Sequence, residues 1–206
     1  MNRRDFLALF SSASLLSIAP VESLGKVGHR TFVSEAFSFS FDYPAGWHCS
    51  GLEETKANLE KQTLEDSPFE EEAEKLAPLV SFSRHKEPHP EMNPIAIVYA
   101  DYIPEWVSSP LKLTYSYVDS FGEFVQNGRC VEDPHPCMIG GVEAIKTQFA
   151  YDCVVESDAF THEVLDESYI IFHRGYVLWF LFEASYNGEQ TAHKEFEFIK
   201  NTLQFL

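Results

Sequence analysis

The sequence predicts an α+β domain, a three-layer α/β/α sandwich around a mainly antiparallel central sheet. Three observations lead there. Over residues 37–206 the periodic segments run strand, helices, two strands, helix, three strands, helix, and helices set apart from runs of strands mark this class. The strand segments 162–173 and 176–185 are joined only by Arg174-Gly175, a connection that implies an antiparallel hairpin. The stretch Tyr176-Val-Leu-Trp-Phe-Leu-Phe is apolar on both faces, so that strand needs cover above and below and belongs at the centre of a sheet.

Each element has its own signal. Residues 24–36 read as a loose leader. Phe37, Phe39 and Phe41 then alternate with Ser38, Ser40 and Asp42, the period of a half-buried strand. Pro44 stops ladder pairing, Gly46 permits a tight turn, and Trp47 is placed to cap the core. Residues 50–77 read as acidic helices. Ser50 with Glu53, and Ser67 with Glu70, have capping-box spacing, and Pro68 occupies a first helical position. Glu70, Glu71, Glu72 and Glu74 sit where the helix dipole favours acids. This acid run reads as a solvated helix face, with cation binding as the alternative.

Residues 79–86 read as a strand, followed by a proline-rich loop from Pro88 to Pro94 and an inner strand from Ile95 to Ile103. Ser109-Pro110 opens a helix whose stripe is Leu113, Tyr117, Phe121, Phe124 and Val125, with Asn127-Gly128 as its end. A loop carrying Cys130 and Cys137 leads to Gly140-Gly141. In the strand from about Val142 to Val155, Ile145, Phe149, Tyr151 and Cys153 share a face with Thr147. The last helix begins near Glu189 and buries Ala192, Phe196, Ile199 and Leu203.

The amino end carries an address. Arg3 and Arg4 precede Phe6 and Leu7, and a short, serine-diluted apolar run follows to Ile18. A positive start, an apolar middle and a small-residue region make an export signal. The run is shorter than the ~20 apolar residues that span a bilayer. The arginine pair before Phe-Leu resembles the twin-arginine signal, which a receptor reads and which is not an anchor. An amphipathic helix with two chance arginines is the alternative. The organisation expected is therefore a signal over 1–23, a leader over 24–36 and a single domain over 37–206. The mature chain is expected in the periplasm or otherwise outside the cytoplasm of a bacterium, with no stable membrane anchor. No cysteine near the signal offers a lipid attachment point.

The net charge is −17, and the signal's two arginines are balanced by Asp5 and Glu22, so its removal leaves that value unchanged. Such a surface repels phosphate backbones and anionic lipid heads, which argues against nucleic acid and direct membrane binding. Four cysteines are present, Cys49, Cys130, Cys137 and Cys153. Cys130 and Cys137 flank a polar segment with two prolines that can bend back, so they are the candidate disulfide. Cys49 and Cys153 either pair or stay buried thiols. Cys130, His135 and Cys137 match no zinc-ligand spacing.

Catalytic motifs are lacking. There is no Gly-x-Ser-x-Gly elbow and no phosphate-cradling glycine loop. His85 and His89, beside Glu87 and Glu91, lie among prolines that forbid a regular metal-binding helix face. Glu163, Asp166 and Glu167 resemble a paired-acid site only in number, with Glu163 and Glu167 on one strand face. Tyr99, Tyr102 and Trp106 suit either a ligand groove or the flank of the sheet.

The opening Phe39-x-Phe41-x-Tyr43-Pro44-x-Gly46-Trp47 resembles the first strand of the PsbP-like superfamily. So do the Gly140-Gly141 turn before a long antiparallel run and the closing Phe196-x-x-Ile199-x-x-x-Leu203. The resemblance covers most of residues 37–206. It implies an α/β/α sandwich used mainly for binding, in a superfamily that includes photosystem accessory proteins, exported bacterial lipoproteins and a nuclear-transport cofactor. Fold does not supply chemistry. The function expected is that of an exported, non-catalytic accessory or binding protein, without a cofactor, whose partner is a protein or a small ligand. The alternatives are a small periplasmic hydrolase with a dispersed site and a divalent-cation binder. A deep pocket where histidine and acid side chains converge would favour the hydrolase.

Overall fold

In the computed structural model a seven-stranded antiparallel sheet occupies the middle of the chain's architecture, in the order β4-β5-β6-β10-β9-β8-β7. Its strands are β4 (His48–Ser50), β5 (Val80–Ser83), β6 (Ile95–Tyr102), β7 (Gln126–Ile139), β8 (Val142–Val155), β9 (Phe160–His173) and β10 (Tyr176–Ser185). A second antiparallel sheet, ordered β1-β2-β3-β11, joins β1 (Lys26–Val27), β2 (Thr31–Ser34), β3 (Phe39–Asp42) and β11 (Gln204–Phe205). Helix α1 (Pro110–Phe121) covers one face of the large sheet; helix α2 (Gln190–Thr202) and the small sheet cover the other. The structure describes residues 26–27, 30–50, 78–86, 89, 92–103, 105, 107–122, 125–155, 160–187 and 190–206. The signal residues Arg3, Arg4, Phe6 and Leu7, the acidic segment over 51–77, and Trp106 lie outside the described residues.

The apolar strand is central as expected. β10 lies between β6 and β9, with Leu178 and Phe180 in the core under α2 and Val177, Trp179 and Leu181 in the core under α1. Its hairpin to β9 turns on Arg174 and Gly175, whose φ values of 51° and 85° fit a turn with left-handed central residues. The β7–β8 hairpin turns in the same way at Gly140 (φ 59°) and Gly141 (φ 80°). At Gly140 a Cβ would stand 3.0 Å from Leu203, so this glycine also lets the turn press against the end of α2.

The α1 face is built by helical spacing. Ser109 caps the helix by accepting from the Lys112 N–H, and Pro110 stands at its start. Tyr117 meets Trp179 edge-on at 4.4 Å, and Phe121 stacks on Phe149 at 4.2 Å. On the other face Phe32, Phe39 and Phe41 of the small sheet interlock with Phe82 and Phe180. Trp47 is buried there against Phe196, as a core cap should be.

Three expectations change. Residues 31–34 are not loose leader: β2 pairs with β3, burying Phe32 and Ser34. Helix α1 ends at Phe121 with Gly122 at its cap, so Asn127-Gly128 does not terminate it. Asn127 (φ 54°) instead marks a register shift in β7, a left-handed position that asparagine tolerates. The cysteine segment is not a bent-back loop either. It is extended in β7, an edge strand, where prolines and bulges are tolerated.

Candidate functional site

Strand alternation divides the acids of β9. Glu167 faces α2, and Asp166 faces α1. Two polar centres result, one on each side of the sheet.

On the α2 side a chain of charges crosses from strand to helix. Glu167 accepts from Lys200 Nζ (2.5 Å), Gln148 Nε2 (2.9 Å) and the Tyr169 hydroxyl (2.9 Å). Lys146 Nζ stands 3.4 Å from Glu167 and 2.9 Å from Glu132. Lys200 also meets Glu197 at 2.6 Å and lies over the rings of Tyr169 and Phe182. Burial pushes the Glu167 carboxyl up, but Lys200, then Lys146 and Gln148, outweigh it and bring it to about 2. Burial lowers Lys146, and Glu132 and Glu167 more than restore it. Burial raises the Tyr169 hydroxyl, and Glu167 raises it further. At neutral pH Glu167 and Lys146 are thus fixed charges and Tyr169 a neutral hydroxyl.

Tyr169, Glu197 and Lys200 of this network line a cleft of about 460 Å³ between the carboxyl end of α2 and the β7–β8 turn; Glu167, Gln148, Lys146 and Glu132 are not among its lining residues. Met138, Asn201 and Gln204 line its mouth together with Glu197, while Tyr169 and Lys200 lie deeper. Met138 is 64% exposed. No histidine is among the lining residues. The cleft offers amide donors and acceptors, one thioether and a carboxylate rim, which is the equipment of a binding site.

On the α1 side Asp166 and Glu183 are register partners across β9 and β10. Asp166 is 1% exposed and accepts from Ser168 Oγ at 2.7 Å. Glu183 accepts from the Tyr151 hydroxyl at 3.1 Å. Burial, and then the Glu183 charge, raise Asp166; burial raises Glu183.

The acids singled out in the sequence are therefore not one site. Glu163 pairs with Arg129 at the surface, Asp166 with Glu183 beneath α1, and Glu167 with lysines on the far face. His85 and His89 stack at 4.3 Å, away from both centres. Tyr99 lies beneath α1 with the second apolar cluster, and Tyr102 is exposed against Tyr176. Lys146, Gln148, Glu183 and Lys200 escaped notice in the sequence. The available signal was a charge at an inward strand position, opposite a lysine of the last helix.

The proposed Cys130–Cys137 bridge is not formed, and all four cysteines are free thiols. Six residues of strand lie between the two and hold them about 20 Å apart, against the roughly 4–7 Å between Cα atoms that a disulfide needs. They also face opposite ways. Cys130 Sγ lies 3.9 Å from Thr147 Oγ1, whereas Cys137 packs in the core under α2. Cys130, His135 and Cys137 therefore do not converge, and among the described residues no group of three or more His, Cys, Asp or Glu side chains is arranged to hold a metal. Cys49 on β4 and Cys153 on β8 are separated by four strands.

No family model matches the sequence. No curated protein matches it. Solved structures do. One is LpqN, involved in cell envelope biogenesis of Mycobacterium tuberculosis, at a TM-score of 0.51 and 14% identity over 81% of this chain and 82% of that one. Another is cyanobacterial PsbP (CyanoP) from Synechocystis, at a TM-score of 0.51 and 14% identity over 91% of this chain and all of that one. Identity this low speaks for the fold alone: an α+β fold of the PsbP-like type.

Proposed function

We propose that the protein is an exported, non-catalytic accessory protein that holds a protein partner or small ligand in the cleft between α2 and the β7–β8 turn. One observation supports this above the others: the cleft's deep cation, Lys200, is already held by two carboxylates. Lys200 is shared by Glu167 and Glu197, and the two lysines on Glu167 bring its carboxyl to about 2, so Glu167 is not poised to take or give a proton near neutral pH. What remains toward solvent is hydrogen-bonding and apolar surface. The likeness to LpqN, a protein of cell envelope biogenesis, supports a setting outside the cytoplasm. Among the described residues no helix is long and apolar enough to cross a membrane.

A photo-crosslinking residue at Met138 in the exported protein tests the cleft in living cells. The expected result is a discrete adduct from position 138 and none from Tyr115, which is exposed on α1 across the sheet. Equal labelling from both positions, or ester, amide or phosphoester turnover that is lost on substituting cleft residues, would overturn the reading.

The export route forms part of the proposal and rests on Arg3, Arg4, Phe6 and Leu7. Replacing both arginines by lysine is expected to trap precursor in the cytoplasm, measured by fractionation. Undiminished export would remove the twin-arginine route and leave the cleft argument untouched.

A further inference from the structure

We propose that Asp166 and Glu183 form a proton-holding latch beneath α1, so that losing the shared proton loosens α1 from the sheet. The geometry is that of two carboxyls forced together. They are direct cross-strand partners on the face under α1, where facing side chains stand about 5 Å apart. Like charges so placed and taken out of water cannot both ionise.

Among the described residues nothing cationic relieves them. Neither carboxylate has an ion pair among the described residues, and their hydrogen-bond donors are the neutral hydroxyls of Ser168 and Tyr151. Among the described residues the titratable groups that face them are Tyr99 of β6, Tyr117 of α1, and Tyr151 and Cys153 of β8, with Glu167 acting through the sheet from the other side of β9. Every one is neutral or negative at neutral pH. The pair therefore keeps a proton, and the carboxyl that carries it can share it with its neighbour.

Helix α1 is the element that yields. It is twelve residues long and packs on a small apolar cluster of its own, with Leu113 and Tyr117 against Ile170, Val177, Trp179 and Leu181. The larger core, with α2 and the small sheet, lies on the opposite face and is not disturbed. Local opening of one helix costs less than global unfolding.

The sign follows from proton counting. With α1 closed the pair's pKa is raised, so the closed state binds more protons than an opened one whose carboxyls are hydrated. Closure is complete in mild acid and weakens as pH rises through the pair's own titration. For one proton, the opening equilibrium grows by up to tenfold per pH unit between the opened carboxyls' ordinary value, about 4, and the closed pair's raised one, and levels off above the latter.

Hydrogen exchange on the full protein between pH 6 and 9, corrected for intrinsic rates, reads this directly. Peptides over 110–121 are expected to lose protection steeply with pH, while those over 190–202 keep theirs. Asp166→Asn with Glu183→Gln should flatten the α1 response. A flat α1 profile in the native protein, or an unchanged slope in the double variant, overturns the latch. Should the double variant fail to fold, carboxyl carbon resonances of the native protein decide: one proton retained by the pair at pH 7 supports the latch, and two ionised carboxylates sink it.

Discussion

Replacing Phe39 with alanine is expected to destabilise the domain by about 4 kcal/mol, in the range of buried phenylalanine deletions. Phe39 is fully buried and lies where the small sheet meets the large one. Its ring stands 5.4 Å from Phe180 of central β10, 5.8 Å from Phe32 and 6.2 Å from Phe205. The flanking rings are held by three strands and cannot all collapse into the space left behind, so the loss includes a cavity contribution as well as the transfer free energy. Urea unfolding measures it: the midpoint should fall with little change in slope. Tyr115→Ala, at an exposed position of α1, should move stability by no more than about 0.5 kcal/mol. A Phe39 effect as small as that would mean the two sheets do not share a core.

Lys200→Ala is expected to cost about 2 kcal/mol near neutral pH. Removing one partner of a buried pair costs roughly 3–5 kcal/mol, and the residual exposure of this network, with Lys146 still beside Glu167, reduces that. The stranded group is Glu167, which also loses the cation that draws its pKa down. The pH dependence has a definite sign. A carboxyl with a depressed folded pKa contributes stability above its unfolded value, near 4.5, and that contribution is lost as pH falls toward about 2. The gap between the native protein and Lys200→Ala should therefore be full at pH 7 and narrow below pH 4, in parallel urea titrations. Lys200→Arg should recover much of the loss, because a cation is restored over Tyr169 and Phe182. A gap independent of pH would assign the effect to packing alone.

The same residues show what a sequence can and cannot reveal. β10 was legible because seven consecutive apolar side chains leave no solvent face, and α1 and α2 because their stripes repeat at helical spacing. The β9–β10 turn was legible because a two-residue connection admits few geometries. β7 was not: Pro134, Pro136 and the polar residues around them carry loop chemistry, and only an edge position lets them sit in a strand. β2 was hidden because its inward positions are Phe32 and Ser34 while apolar Val33 faces the other way, so no apolar alternation shows. At the sites, Asp166 and Glu167 drew attention as acids, but their partners could not be named. Lys200 lies 33 residues from Glu167, and the two meet only because α2 folds back across the sheet. Glu183 is 17 positions from Asp166 (183 less 166) and opposes it only once the β9–β10 register is known.

The most direct measurement is the ionisation of Glu167 itself, by carbon NMR of its side-chain carboxyl with Glu167→Gln for assignment. A carboxylate that stays charged from pH 8 down through pH 4 and titrates at about 2 is the expected result, and it fits a cleft of fixed charges built to bind. Titration between pH 5 and 8 would contradict it, because a carboxyl poised there, bonded to the cleft residues Lys200 and Tyr169, suits a general acid or base.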